Sequence, residues 1–204
     1  MSTLTLLTYP GPNDRKARIM LSEARVPYQA KTIDIKKGEQ FHPDFLKISP
    51  NNKIPALVDN SGPEPVAVFE TGAILIYLAE KYNCLLPETQ PRRAEAFSWL
   101  FFGTGALGGT LPQLHHYLDA AESPQLVIKR FADEAVRLFT VLERRLEQNE
   151  YLAGNYSIAD IPSYVSTSGW LDRVKSLSEG KLQQTPNIDR WLNSIDGREA
   201  IRGV

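Results

Sequence analysis

The chain has 204 residues, 42% of them hydrophobic, and a formal net charge of −1. That length allows one large or two small domains with a substantial core, and the near-neutral charge argues against nucleic acid or an anionic membrane as the main partner. The single cysteine, Cys84, excludes an internal disulfide framework and a Cys-x-x-Cys redox pair.

The longest strongly apolar segment, residues 72–79, is too short to span a bilayer. The first residues lack a basic stretch followed by a long apolar run, so no secretory signal is expected. The expectation is a cytoplasmic protein without membrane partners.

In chain order, Leu4, Leu6 and Leu7 among threonines predict a buried strand of parallel type over residues 3–8. A Tyr-Pro-Gly-Pro-Asn turn follows, and Asn13 or Asp14 is expected to cap a helix running to about Ala24. Alternation over residues 28–34 predicts a second strand, which makes a βαβ unit. A polar loop and a short helical piece over residues 41–48 lead to a third strand at 56–59. Turn residues at 61–65 join it to a hairpin partner at 66–69, and a helix is expected over 73–82.

Composition changes after Tyr82. Residues 84–90 read as a linker between a domain at 1–83 and an all-helical domain at 91–204. Residues 92–111 predict a helix with a kink or close packing at glycines 103, 105, 108 and 109. Residues 124–148 predict a long amphipathic helix whose apolar face includes Leu126, Ile128, Phe131, Ala135, Leu138, Phe139, Leu142 and Leu146. Ser157 and Asp160 have capping-box spacing before a helix running towards Val174, and residues 186–195 predict the last helix. The fold class is a small α/β domain, βαβ then ββα, followed by a helical bundle.

One stretch carries more than secondary structure. In S-P-N-N-K-I-P-A-L-V-D, at 49–59, Pro55 directly precedes a strand and cannot donate to a ladder. It is an edge feature or a fixed turn, and a cis Ile54–Pro55 bond would make the turn tight. Such a turn leaves the Ile54 backbone free to pair with something extended, with Lys53 beside it as a point charge. The plainer alternative is an ordinary loop entering a strand.

The order of elements, N-K-I-P-A-L-V-D at 52–59, F-E-T-G-A-I-L-I-Y-L-A at 69–79 and Y-S-I-A-D-I at 156–161 together resemble the cytosolic glutathione transferases. Narrower matches are similar to the nu class, the bacterial disulfide-bond reductase-like enzymes related to the fungal nitrogen-regulator prion proteins. These are P-N at 12–13, G-E-Q-F at 38–41, K-I-S-P-N-N-K-I-P at 47–55 and Q-L-H-H-Y at 113–117. The resemblance implies a thioredoxin-like first domain, glutathione as co-substrate, an electrophile or disulfide bound between the domains, and a homodimer.

The implied glutathione site follows the ligand's chemistry. Ile54, with Pro55 cis, pairs with the cysteinyl backbone. Glu70 meets the γ-glutamyl ammonium. Thr71 offers a hydroxyl and a helix-start N–H to its carboxylate. Lys53 and Gln40 can bind the glycine carboxylate, and Arg130 is expected to reach the ligand from the helical domain.

Asn13 is the expected donor to the thiolate, with Tyr9 the rival. Tyr9, Gly11, Gln113 and Tyr117 are expected around the second substrate. Relatives often carry threonine where this chain has Gly11, so one hydroxyl donor is missing. His115 and His116 are adjacent and point apart on a helix, so no shared metal is expected. Cys84 reads as a packing residue. The alternative function is a non-catalytic carrier or a regulatory interaction protein of the same fold.

Overall fold

Leu6 and Leu7, consecutive on the first strand, are both buried, so that strand is covered on both faces. The computed structural model, which describes residues 3–204, places this strand, β1 (Leu4–Thr8), inside a four-stranded sheet. The others are β2 (Tyr28–Thr32), β3 (Ala56–Asp59) and β4 (Val66–Phe69), in the order β2-β1-β3-β4. β1 runs parallel to β2 and antiparallel to β3, and β3–β4 is an antiparallel hairpin. The sheet is therefore mixed, as a βαβ unit followed by a ββα unit requires.

α1 (Pro12–Glu23) and α3 (Thr71–Lys81) pack against each other, burying Ala17, Ile19, Met20, Ile74, Leu75 and Leu78. Leu7, Ile33, Phe45 and Ala56 form a second cluster that seats the short α2 (Pro43–Leu46). Each such aliphatic side chain contributes about 1.5–3 kcal/mol on full burial. This thioredoxin-like arrangement is the expected fold class.

The chain divides into two compact units. One runs up to Leu86 and includes Glu199–Val204; the other is Pro87–Arg198. The second unit is helical: α4 (Gln90–Phe101), α5 (Gly108–Asp119), α6 (Gln125–Glu147), α7 (Asp160–Leu177) and α8 (Pro186–Asp196). The closing α9 (Glu199–Arg202) packs on α1 in the first unit.

Three local expectations need correction. α1 begins at Pro12, so neither Asn13 nor Asp14 caps it; Gly11 holds that position and gives no side-chain cap bond. Proline suits the first helical turn because its missing N–H is unpaired there anyway, and Asp14 instead turns inward. The helix expected over residues 92–111 is two helices joined by a π-helical stretch, Phe102–Leu107. Gly103 is the tight point: a Cβ there would lie 2.6 Å from Ser163 Oγ. Leu126, placed on the apolar face of α6, is 80% exposed in its first turn, before the buried stripe begins at Ala132.

Asp160 ties the second unit together. Its carboxylate accepts from the N–H groups of Leu152 and Ser157 and from Trp191 Nε1, each at 3.0 Å, and from Ser157 Oγ at 3.3 Å. Asp160 thus reaches back as a capping box requires, while Ser157 Oγ accepts from the Ala159 N–H at 3.3 Å. Burial pushes the Asp160 carboxyl up to about 6, against these donors.

Asp160→Ala strands several buried donors, each worth about 1–3 kcal/mol when left unpaired. The expected loss is about 3–4 kcal/mol, read as a melting temperature roughly 10 °C lower in a chain of this size. A raised folded value means the protonated acid favours the native state. That contribution is complete below the unfolded value of about 4 and is lost as pH rises through about 6. Asp160→Asn flattens this stretch of the stability curve measured by chemical denaturation.

Candidate functional site

Strand register decides which loops meet. Thr8 pairs with Thr32, Leu7 with Ala56, and Ala56 with Phe69. The ends of β1, β2 and β4 and the start of β3 therefore share one edge of the sheet. From that edge leave Tyr9 to Asn13, the loop carrying Gln40, the segment Lys53 to Pro55, and Glu70 with Thr71. Residues far apart in sequence are gathered by four short strands.

The loop into β3 is held from within. The buried Ser49 donates from Oγ to the Lys53 carbonyl at 2.8 Å, and the Ile54–Pro55 peptide is cis. The Ile54 N–H and carbonyl take up no main-chain hydrogen bond among the described residues. Lys53 is exposed. Gln40 follows the left-handed Gly38, and its Oε1 is buried without a hydrogen-bond partner.

At the start of α3, Glu70 sits at φ 70 and ψ 125, a conformation that costs a non-glycine residue about 1–3 kcal/mol. It gives no side-chain cap, so it is not acting as a helix cap. Its exposed carboxylate accepts instead from Asn51 Nδ2 at 3.0 Å. The first α3 N–H bonded within the helix is that of Ile74, to the Glu70 carbonyl at 3.0 Å. The N–H groups of Thr71, Gly72 and Ala73 thus face outward from a helix start, where an anion is favoured.

The first turn of α1 is anchored by Asp14. It accepts from Thr8 Oγ1 at 2.6 Å and from Arg18 Nε at 2.7 Å, while Arg18 also donates to the Tyr28 hydroxyl at 3.1 Å. Asn13 is exposed, and its Oδ1 accepts from Lys16 Nζ at 3.0 Å. Tyr9 is half-buried. At the exposed Gly11, a Cβ would meet nothing within 4 Å. Cys84 is half-buried, and burial with the nearby Glu23 charge raises its thiol.

The remaining expected residues lie in the second unit. Gln113 is exposed on α5, and one turn on Tyr117 stacks on Phe131 with ring centroids 5.7 Å apart. Arg130 is exposed on α6 and lies 3.9 Å from Glu134. His115 and His116 face different neighbours: His115 meets Asp119 and Trp170, and His116 meets the Tyr117 ring.

Two residues escaped the sequence reading. Asn51 lies inside the quoted motif, but its partner Glu70 adjoins only through the β3–β4 hairpin. Lys16 is three residues beyond Asn13, a spacing that places both on one helix face; its burial leaves no mark in the sequence.

The glutathione S-transferase N-terminal domain matches residues 2–80, and the C-terminal domain matches 95–199. The disulfide-bond oxidoreductase YfcG of Escherichia coli is 43% identical over 198 residues, covering 94% of this chain and 89% of that protein. A glutathione transferase family member from Pseudomonas fluorescens, crystallised with two glutathione bound, superposes with a TM-score of 0.91 at 34% identity, covering 99% of this chain and 92% of that one. A glutathione transferase from Pseudomonas putida, with glutathione disulfide bound, gives a TM-score of 0.91 at 33% identity over 99% and 90% of the two chains. With both domain families matched and full-length relatives above 30% identity, the chain belongs to the glutathione S-transferase family.

Proposed function

We propose that this chain is a glutathione-dependent transferase and disulfide oxidoreductase that binds glutathione at the sheet edge described above. The observation that carries the proposal is the meeting there of three complementary features. They are a free Ile54 main chain, an exposed Glu70 beside the open N–H groups of α3, and Asn13 at the start of α1. Glutathione presents an extended backbone, an ammonium beside a carboxylate, and a thiol. Each feature answers one of them, and Lys53 and Gln40 supply donors for the glycine carboxylate.

The reactive sulfur is glutathione's own. The chain's single thiol, Cys84, is shifted towards the unreactive protonated form. Asn13 donates to the glutathione thiolate, and the partial positive charge at the start of α1 lowers the thiol pKa further. The thiolate attacks one sulfur of a disulfide substrate, forming a mixed disulfide and expelling the other half as thiolate. A second glutathione thiolate then attacks the mixed disulfide, giving glutathione disulfide and releasing the remaining substrate thiolate. Two glutathiones are oxidised for each disulfide reduced. The relatives with two glutathione or glutathione disulfide bound support this sequence. With an electrophile, the same thiolate forms a thioether and expels the leaving group. A homodimer, common in the family, is part of this reading and is checked by sedimentation.

The open space at Gly11 favours weighing a second reading, a carrier that binds glutathione without activating it. Assays with an aryl halide and with a small mixed disulfide separate the two. Turnover of either supports the enzyme, whereas glutathione protection against melting with no turnover supports the carrier.

Four variants test the residues. Asn13→Ala is expected to lower kcat about tenfold or more while Tyr9→Phe leaves it near wild type; the reverse pattern moves the donor to Tyr9. Glu70→Gln should weaken glutathione binding about tenfold by calorimetry, through loss of a charge-assisted bond. Gly11→Thr adds a hydroxyl where there is room, and is expected to lower the pKa of the bound thiol in an ultraviolet titration.

A further inference from the structure

Lys16 stands out because it is a buried cation without an anion. It is only 4% exposed, and no carboxylate lies within ion-pair range of it among the described residues. A buried lysine is ordinarily paired with an acid, since an unneutralised charge is costly away from water. Among the described residues its ammonium donates one hydrogen bond, to Asn13 Oδ1 at 3.0 Å.

The chemistry of that contact fixes the amide. An ammonium has three donors and no acceptor, so it can only meet the oxygen end of an asparagine. The Nδ2 end is then left over, on a residue that is exposed while Lys16 is not. Burial holds the Lys16 ammonium down to about 8, which leaves it mostly charged at neutral pH.

We propose that Lys16 is a positioning residue for the reactive thiol: it holds Asn13 Oδ1 so that Asn13 Nδ2 is presented to the glutathione sulfur. The proposal rests on the functional reading above, in which Asn13 is the thiolate donor. It adds what keeps that donor in the productive orientation. The arriving thiolate also supplies the negative charge that the surroundings of Lys16 lack, so the ammonium and the sulfur stabilise each other through the amide.

The test is an ultraviolet titration of the thiol of bound glutathione in the full chain, with binding followed by calorimetry. Lys16→Met is expected to raise the bound thiol pKa by about one unit and to lower kcat about tenfold, with Kd changed by less than about threefold. Lys16→Arg, still a pure donor, should retain most of the wild-type shift. Asn13→Ala with Lys16→Met should titrate like Asn13→Ala alone, because Lys16 acts through that amide.

An unchanged thiol pKa in Lys16→Met, with Asn13→Ala raising it, overturns this proposal and leaves the functional reading standing. A full Lys16 effect in the Asn13→Ala background also overturns it. No effect of Asn13→Ala itself removes the functional reading of that residue and this proposal with it.

Should the Lys16 variants fail to fold, nuclear magnetic resonance of the wild type decides. The Asn13 side-chain NH₂ signals are expected to shift more with glutathione than with γ-glutamyl-alanyl-glycine, which lacks the sulfur. Equal shifts remove the functional reading of Asn13 and this proposal with it.

Discussion

The register of β1 against its neighbours is the constraint on which the candidate site depends. Leu7 opposite Ala56, and Ala56 opposite Phe69, put three chain segments at one edge. Because side chains alternate faces, a slip of one residue would move the buried Leu4 and Leu6 to the other face and bring threonines into their layer. The apolar cost of that slip holds the polar loops where they are. The core and the site are in this sense one decision, since Leu7 is buried against Phe45 and Ile33 at the same end from which Tyr9 to Asn13 depart.

Polar anchors then refine what the sheet places roughly. Asp14 fastens the first turn of α1 to the end of β1 through Thr8 and to the start of β2 through Arg18 and Tyr28. Ser49 fastens the loop before Pro55, and Asn51 fastens Glu70. At the far end of β3, burial opposes ionisation of Asp59, but Lys81, Tyr77 and Ser61 outweigh it and hold the carboxyl below its usual range. That cluster ties β3 to α3, so the helix whose start forms part of the site is pinned at both ends. In the second unit Asp160 plays the comparable part, joining the turn before α7 to Trp191 of α8.

Much of this architecture is legible in the order of the residues. The strand expected at 56–59 and its hairpin partner at 66–69 match β3 and β4, because turn residues bound both strands tightly. The cis Ile54–Pro55 bond and the placement of Glu70 and Thr71 at the start of a helix also agree with expectation. The differences arise from local competitions. Asn13 has the chemistry of a cap, but Pro12 opens the helix one residue earlier and frees the amide. The glycines at 103, 105, 108 and 109 suggest a kink or close packing; Gly103 does pack closely on Ser163, but within a whole π-helical stretch that no local signal announces.

By itself, the sequence specifies its elements, their order, and the residue types that suit an extended, doubly charged, thiol-bearing ligand. The elements and their order follow from short-range periodicity, turn chemistry and spacing; the ligand those residue types would suit follows from the family resemblance of the motifs. Folding adds what depends on distance in space and on access to water. The meeting of Asn51 with Glu70 needs the β3–β4 pairing. The orientation of the Asn13 amide needs Lys16 to be buried, and desolvation is a property of the packed molecule that no linear pattern carries.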